Sequence, residues 1–406
     1  MRVAFVVQRL VEPPDAGTPI RNFNLIAQAA RHHQVHVFGF TDEARYPTTL
    51  RDSGVVLHLL PSAPSRSRRE RLRTMLASRR PDMAMRSRSD ALLGLLSGTI
   101  GDVSPDIVQV QALDMAYALP TIRASLPSAA LILDQHNAEY VLQRRALSLD
   151  ARLPRRWPQA AYSLVQWLRL RRYERDVCAL CDVVLAVSEE DVAALRALNF
   201  GRQIALVPNG VDLESYRAVA PSPELTAAPG PHFVFPGKMD FRPNVDAAAW
   251  LATAIFPRIR ERLPGARLWL VGREPHESVA ALARLPNVMV TGEVPDVRPY
   301  LAAAAAVVVP LRLGGGTKLK LLEAAALRRP LVTTPIGAEG YREGAGRDYL
   351  LAESAEGLAS ACLRVAGDPA LAARLAESAY ARMAQPHDWA RVYERLEAVY
   401  EKARAS

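Results

Sequence analysis

Apolar residues fall along this chain in two alternating patterns. Short continuous runs such as Val3–Val7, Ile107–Val110 and Ala130–Leu133 read as buried strands, and the stretches between them carry apolar side chains at helical spacing. The first half predicts strands over Arg2–Gln8, Gln34–Phe40, Val55–Leu60, Asp106–Val110, Ala130–Asp134, Val183–Ser188 and Ile204–Val207. It also predicts a helix over Ile20–His32 and a long one over Trp157–Leu180. Strands that alternate with helices make a mainly parallel sheet covered on both sides. Residues 217–231, which hold Pro221, Pro223, Pro229, Gly230 and Pro231, break the periodicity and read as a linker. Beyond them the architecture repeats, with strands over Phe233–Phe235, Arg267–Val271, Val288–Thr291, Ala306–Val309 and Leu331–Thr334. The expected fold class is therefore α/β, with two Rossmann-like domains over 1–212 and 213–386 whose sheets face across a cleft. The last segment, 387–406, reads as a helix that crosses back to the first domain.

With 406 residues, half of them hydrophobic, the chain can bury sizeable cores. No early window holds the roughly 18 apolar residues of a membrane span, and Met1–Val7 reads as a first strand rather than a signal peptide. The expected location is thus the cytoplasm. Three cysteines are too few for a disulfide framework, and Cys178 and Cys181 lack a second Cys or His pair at zinc spacing, so they read as buried helix residues.

Lys and Arg number 51 against 42 Asp and Glu, and the excess is clustered. Arg66, Arg68, Arg69, Arg71, Arg73, Arg79 and Arg80 lie in one short stretch, where Leu72, Met75 and Leu76 fall at helical spacing. The segment Ser65–Arg88 therefore reads as a basic amphipathic helix or helix pair. Such clusters suit a solvated face, an anionic membrane or a phosphorylated ligand. Aromatic residues are not interleaved with them, which argues against nucleic acid as a partner.

Chemistry concentrates in one turn. The run Ala306–Val309 leads into Gly314-Gly315-Gly316-Thr317-Lys318-Leu319-Lys320, followed by a helical pattern that Pro330 stops. Three glycines let backbone amides approach a ligand, and Thr317 is placed to cap a helix whose N-terminus favours an anion such as phosphate. Lys318 and Lys320 add positive charge there, and Glu323, about two turns in, can reach a sugar hydroxyl of an anchored nucleotide. The alternative is a flexible loop and a solvated helix with a weak Lys320–Glu323 pair. Neither P-loop nor G-x-G-x-x-G spacing is present. His136 follows the strand Ala130–Asp134 at its carboxyl end, where α/β sheets collect ligands and where a structural histidine is equally at home.

Several segments together resemble glycosyltransferase family 4, a group with the GT-B fold. They are Val207-Pro208-Asn209-Gly210-Val211-Asp212, Gly237-Lys238-Met239-Asp240-Phe241-Arg242-Pro243-Asn244, Val288–Gly292, Gly314–Glu323 and Thr334–Gly340, with Tyr173-Glu174-Arg175 and Ser188–Asp191. The resemblance implies that the second domain holds a nucleoside diphosphate, with Glu323 on the ribose. The amides of Gly314, Gly315, Gly316 and Thr317 would then meet the distal phosphate, neutralised by Lys318 or Lys238. It further implies Gly17 at the donor and acceptor edge and His136 beneath the transferred sugar. Two departures stand out. The first glutamate of the family's E-x7-E pair falls at Gly315, which makes this a glycine-rich variant. The family's second basic residue falls at Pro243 or Asn244, so Arg242 or Lys318 must substitute for it.

The expected activity is retaining transfer of a sugar from a nucleoside diphosphate sugar to an acceptor hydroxyl, in polysaccharide or glycolipid synthesis. No cofactor is expected, and no D-x-D metal motif is present. The acceptor is left open among a sugar, a lipid-linked precursor and a small molecule. Docking of Ser65–Arg88 on an anionic membrane would make the protein peripheral on its inner face. Two other readings are a hydrolase or epimerase acting on the nucleotide sugar alone and a non-catalytic binder of a nucleotide sugar or nucleic acid.

Overall fold

The computed structural model describes residues 1–14, 16–61, 66–67, 69–70, 77–152 and 154–405. They form two compact units, Met1–Pro208 with Trp389–Ser406, and Asn209–Asp388.

The first unit is built on a seven-stranded, wholly parallel sheet in the order β3-β2-β1-β4-β5-β6-β7. Its strands are β1 (Arg2–Val7), β2 (Gln34–Thr41), β3 (Val56–Pro61), β4 (Ile107–Gln111), β5 (Ala130–Asp134), β6 (Val183–Ala186) and β7 (Gln203–Leu206). Both faces are buried, as the unbroken apolar runs require. On one face Val3, Phe5 and Val7 pack with Leu25 and Ile26 of the helix Gly17–Ala30 and with Val392, Leu396 and Tyr400 of the helix Trp389–Ala405. On the other, Ala4 and Val6 join Leu92, Leu96 and Ile100 of the helix Asp90–Val103. The last helix begins at Trp389 because Gln385–His387 forms a separate short turn.

The second unit has a six-stranded parallel sheet in the order β10-β9-β8-β11-β12-β13. These strands are β8 (His232–Pro236), β9 (Arg267–Val271), β10 (Val288–Gly292), β11 (Ala306–Val309), β12 (Leu331–Thr333) and β13 (Leu350–Leu351). In both units the order reverses beside the first strand. That is the topological switch point, where ligands of open α/β sheets bind. The segment expected as a linker carries the short helix Pro223–Ala227, whose Leu225 is fully buried in the second core.

Of the basic segment Ser65–Arg88, Ser65, Arg68 and 71–76 lie outside the described residues, with Leu72, Met75 and Leu76 among them. Its described end holds the five-residue helix Asp82–Arg86. Cys178 closes the helix Trp157–Cys178, and Cys181 lies in the turn after it. Both thiols are free and buried, and burial pushes both well above the usual thiol range.

One buried ion pair ties the first unit together at its carboxyl edge. Arg21, on the helix after β1, donates from Nε and Nη2 to the two oxygens of Asp134 at the end of β5, each at 2.9 Å. It also donates to the carbonyls of Val207 and Pro208, both at 2.9 Å. Gln109 Nε2 donates to Asp134 at 3.3 Å, and Tyr400 donates to Gln109 Oε1, so the last helix joins the same network. Both charges are out of water, at 1 % and 0 % side-chain exposure. Removing one partner strands the other, and Arg21→Ala is expected to cost about 3–5 kcal/mol in urea denaturation. A loss below about 1 kcal/mol would reduce the pair to the standing of a surface contact.

Candidate functional site

The second sheet's switch point lies between β8 and β11, paired in register Phe233 to Ala306 and Val234 to Val307. Their carboxyl ends release the Gly237–Lys238 turn and the glycine loop side by side. Gly314 and Gly316 take φ of +123° and +64°, the conformation for which glycine is suited. The helix that follows spans Leu319–Ala326 and has Lys318 at its cap position without a side-chain cap bond. Thr317 is therefore one residue too early to cap it. Its hydroxyl instead accepts a hydrogen bond from Asn209 Nδ2 at 2.6 Å.

The cations at this edge have separate fates. Lys318 folds under its own loop, donating to the carbonyls of Gly315 at 2.7 Å and Gly316, with Glu339 3.9 Å away. Lys238 bonds Glu274 at 2.8 Å and Asp240 at 3.1 Å, and these carboxylates, Glu274 foremost, raise its pKa. Arg242 opens the helix Arg242–Trp250 with an exposed side chain. Arg312 is paired with Asp246 at 2.7 Å and lies over the Trp250 ring.

Lys320 is placed differently. Its ammonium donates to Asn244 Oδ1 at 3.0 Å and sits 4.4 Å from the centre of the Phe235 ring. Asn244 is fixed in turn by its own donation to the Lys238 carbonyl at 2.8 Å. Burial lowers Lys320 to about 7, with Lys318 contributing in the same direction and Glu323 opposing it. A Cβ at Gly237 would come within 2.8 Å of Asn244 Nδ2 and 3.0 Å of the Lys320 ammonium, so a larger residue here would displace one or both of these side chains.

Glu323, one helical turn beyond Lys320, accepts a hydrogen bond from the Tyr216 hydroxyl at 3.2 Å. Burial raises the pKa of both groups, and for Glu323 the Tyr216 bond and Lys320 pull the other way. Tyr216 is backed by Arg298, 5.7 Å from its ring centre, which pairs with Asp296 at 2.9 Å and donates to the Ser215 carbonyl. The structure thus gathers Gly237, Asn244, Lys320 and Glu323 at one sheet edge.

Lys320 was expected only as added positive charge beside the anion, and neither it nor Asn244 was assigned a role on the phosphate. The available signal was Lys320's position three residues before Glu323, on the same face of the helix. The resemblance looks for a lysine at Pro243 or Asn244, and the ammonium that touches Asn244 reaches it from another element.

In the first unit, His136 lies just past β5. Its Nδ1 is 3.2 Å from the Thr18 hydroxyl and its Nε2 3.1 Å from Gln111 Oε1. With Gln111 in this orientation, Nε2 carries the proton and Nδ1 accepts from Thr18. Burial lowers the imidazole to about 4, Arg21 in the same sense and Asp134 against it, so the ring is neutral near pH 7. Gly17 begins the helix that carries Thr18 and Arg21. The next helix, Glu139–Asp150, has its first N–H groups satisfied by borrowed carboxylates. Asp191 accepts from Ala138 at 2.9 Å, and Glu174 accepts from Glu139 and Tyr140 at 3.1 and 3.0 Å.

Comparison with known proteins places this geometry. A family profile described as Glycosyltransferase Family 4 matches residues 20–215, and one described as Glycosyl transferases group 1 matches residues 230–368. No curated protein matches the chain in sequence. Among solved structures, sucrose-phosphate synthase from Thermosynechococcus elongatus superposes with a TM-score of 0.73 at 18 % identity, covering 100 % of this chain and 99 % of that one. HepE from Anabaena, solved with UDP and glucose, gives 0.66 at 16 % identity over 99 % and 100 %. The N-terminal domain of Candida albicans trehalose-6-phosphate phosphatase gives 0.67 at 12 % identity over 99 % and 97 %. At such identities the likeness speaks for the fold. With a profile on each of the two parallel sheets and structural neighbours over nearly its whole length, the chain belongs to glycosyltransferase family 4 and has the GT-B fold.

Proposed function

We infer that this glycosyltransferase takes a sugar from a nucleoside diphosphate sugar and passes it to an acceptor hydroxyl with retention at the anomeric carbon, without a metal. The observation that carries the reading is Lys320. Its ammonium is held at the switch point of the second sheet by a neutral amide and an aromatic face, and the nearby carboxylate of Glu323 is engaged by Tyr216. A cation built into such a position suits an anion that arrives with the substrate.

In the proposed reaction the bond from the anomeric carbon to the diphosphate oxygen breaks while the acceptor oxygen bonds on the same face. The acceptor proton passes to the departing diphosphate. Lys320 stabilises the charge growing on that leaving group, a contribution that needs no rearrangement of its neighbours. The glycine-loop amides of Gly314–Thr317 take the distal phosphate, Lys318 holds that loop in shape, and Lys238 joins by exchanging a carboxylate for phosphate. Glu323 hydrogen-bonds the ribose. Gly17 and the neutral His136 serve the sugar and acceptor side, as the family resemblance implies. Solved proteins of similar fold hold UDP and UDP-glucose, which supports a uridine nucleotide as the first probe. The acceptor is proposed to be a polysaccharide or glycolipid precursor, handled at the inner face of a membrane.

A screen of nucleotide sugars by thermal shift, followed by product analysis with and without acceptor, tests the reading. Sugar release at the same rate without acceptor would make the protein a hydrolase. Lys320→Gln should lower kcat/KM about 10²–10³-fold while the circular dichroism spectrum is unchanged. A change below about threefold would remove Lys320 from the leaving-group site.

Titration calorimetry with UDP should show a pH dependence with a defined sign. Free Lys320 titrates at about 7, and a bound diphosphate raises that value, so binding takes up a proton above pH 7. Affinity should then fall by up to about tenfold per pH unit above 7, and Lys320→Gln should flatten the slope. Glu323→Ala should weaken UDP about tenfold more than it weakens inorganic pyrophosphate, since the ribose contact is lost only for the nucleotide while the effect on Lys320 is common to both.

A further inference from the structure

The helix Trp157–Cys178 has two faces of mixed character. Its buried face carries Ser163, Gln166 and Glu174, at 4 %, 3 % and 0 % exposure, beside the apolar Ala160, Leu170, Val177 and Cys178. Each of the two larger polar groups has backbone to satisfy. Gln166 Oε1 accepts from the Asp82 N–H at 2.9 Å, and Glu174 caps the neighbouring helix. Other apolar residues of the same helix face water. Of the nine large apolar side chains exposed among the described residues, five lie on this helix. Trp157 is 62 % exposed, Leu164 42 % and Leu168 55 %, and their spacing of seven and four residues sets them on one stripe.

The same stripe turns cationic along its second half. Arg171, Arg172 and Arg175 continue it, all exposed, and the one carboxylate beside them, Asp176, is shared between Arg172 at 3.8 Å and Arg175 at 2.8 Å. An exposed apolar ridge with a Trp at one end and arginines at the other matches the interface of an anionic bilayer, where aromatic rings and apolar side chains enter the headgroup region and guanidinium groups meet phosphates. A second copy of this chain would bring a like-charged face with no surplus of carboxylates to neutralise it. No described helix is long and apolar enough to cross a membrane, so the contact is one of docking.

We propose that the outward face of the helix Trp157–Cys178, through Trp157, Leu164, Leu168, Arg171, Arg172 and Arg175, seats this protein on an anionic lipid surface. The proposal deepens the membrane part of the functional reading but rests on different residues from the donor site. It also differs from docking through Ser65–Arg88, because this helix supplies the apolar contact.

Cosedimentation of the full chain with phosphatidylglycerol vesicles is the test, with phosphatidylcholine vesicles as control. Binding is expected to phosphatidylglycerol alone, weaker at high salt, with a blue shift of tryptophan emission that Trp157→Phe diminishes. The double variant Leu164→Glu/Leu168→Glu should lower vesicle affinity about tenfold or more, and Arg171→Glu/Arg172→Glu should do the same at low salt. UDP affinity should be unchanged in both, which shows an intact donor domain and separates failure here from failure of the sugar-transfer reading. The proposal is overturned if the wild-type protein ignores phosphatidylglycerol at low salt, or if both variants bind like wild type. A wild-type dimer that the leucine variant converts to monomer, without vesicle binding, would instead make this face a subunit interface.

Discussion

A parallel strand cannot be joined to its neighbour by a tight turn, and this constraint orders the molecule. Every strand must return through a crossover, so all the loops that follow strands collect at one edge of the sheet. Where the winding reverses, two such loops leave adjacent strands in opposite directions and open a crevice. In the second unit those strands are β8 and β11, and their loops are the Gly237 turn and the glycine loop. The site residues lie far apart in sequence and meet because the sheet allows them no other arrangement.

Within that crevice the decisive term is the cost of keeping a cation partly out of water. Lys320 is sustained by Asn244 and the face of Phe235, and its lowered pKa reflects its burial, which Glu323 offsets only in part. Lys238 and Lys318 show the opposite economy, with acidic or carbonyl partners already in place. A group left short of counter-charge gains most when an anion arrives.

The first unit handles buried polarity by full satisfaction. Arg21 and Asp134 bond one another and two chain carbonyls, while Glu174 and Asp191 supply the helix after His136 with its missing acceptors. The inner face of the helix Trp157–Cys178 is shared between Gln166 and Glu174 and the core residues Leu170, Val177 and Cys178, and Trp157, Leu164 and Leu168 lie outside that face.

The strands, the α/β class and the glycine turn were legible from the residues alone, because a strand buried on both faces needs an unbroken apolar run and a close-approach turn needs glycine. Helix edges were less so. Thr317 looked like a cap, yet the chain enters the helix only after Lys318, and the Gln385–His387 turn set the start of the last helix. Which lysine stands uncompensated could not be read along the chain, since it depends on Asn244, Phe235 and Glu274 arriving from other strands and loops. Nor could the facing of the helix Trp157–Cys178, which buries Gln166 and Glu174 and exposes Leu164 and Leu168. Sequence periodicity fixes which side chains share a face. Only the packing of neighbours, through the backbone groups they leave unsatisfied, decides which face turns inward.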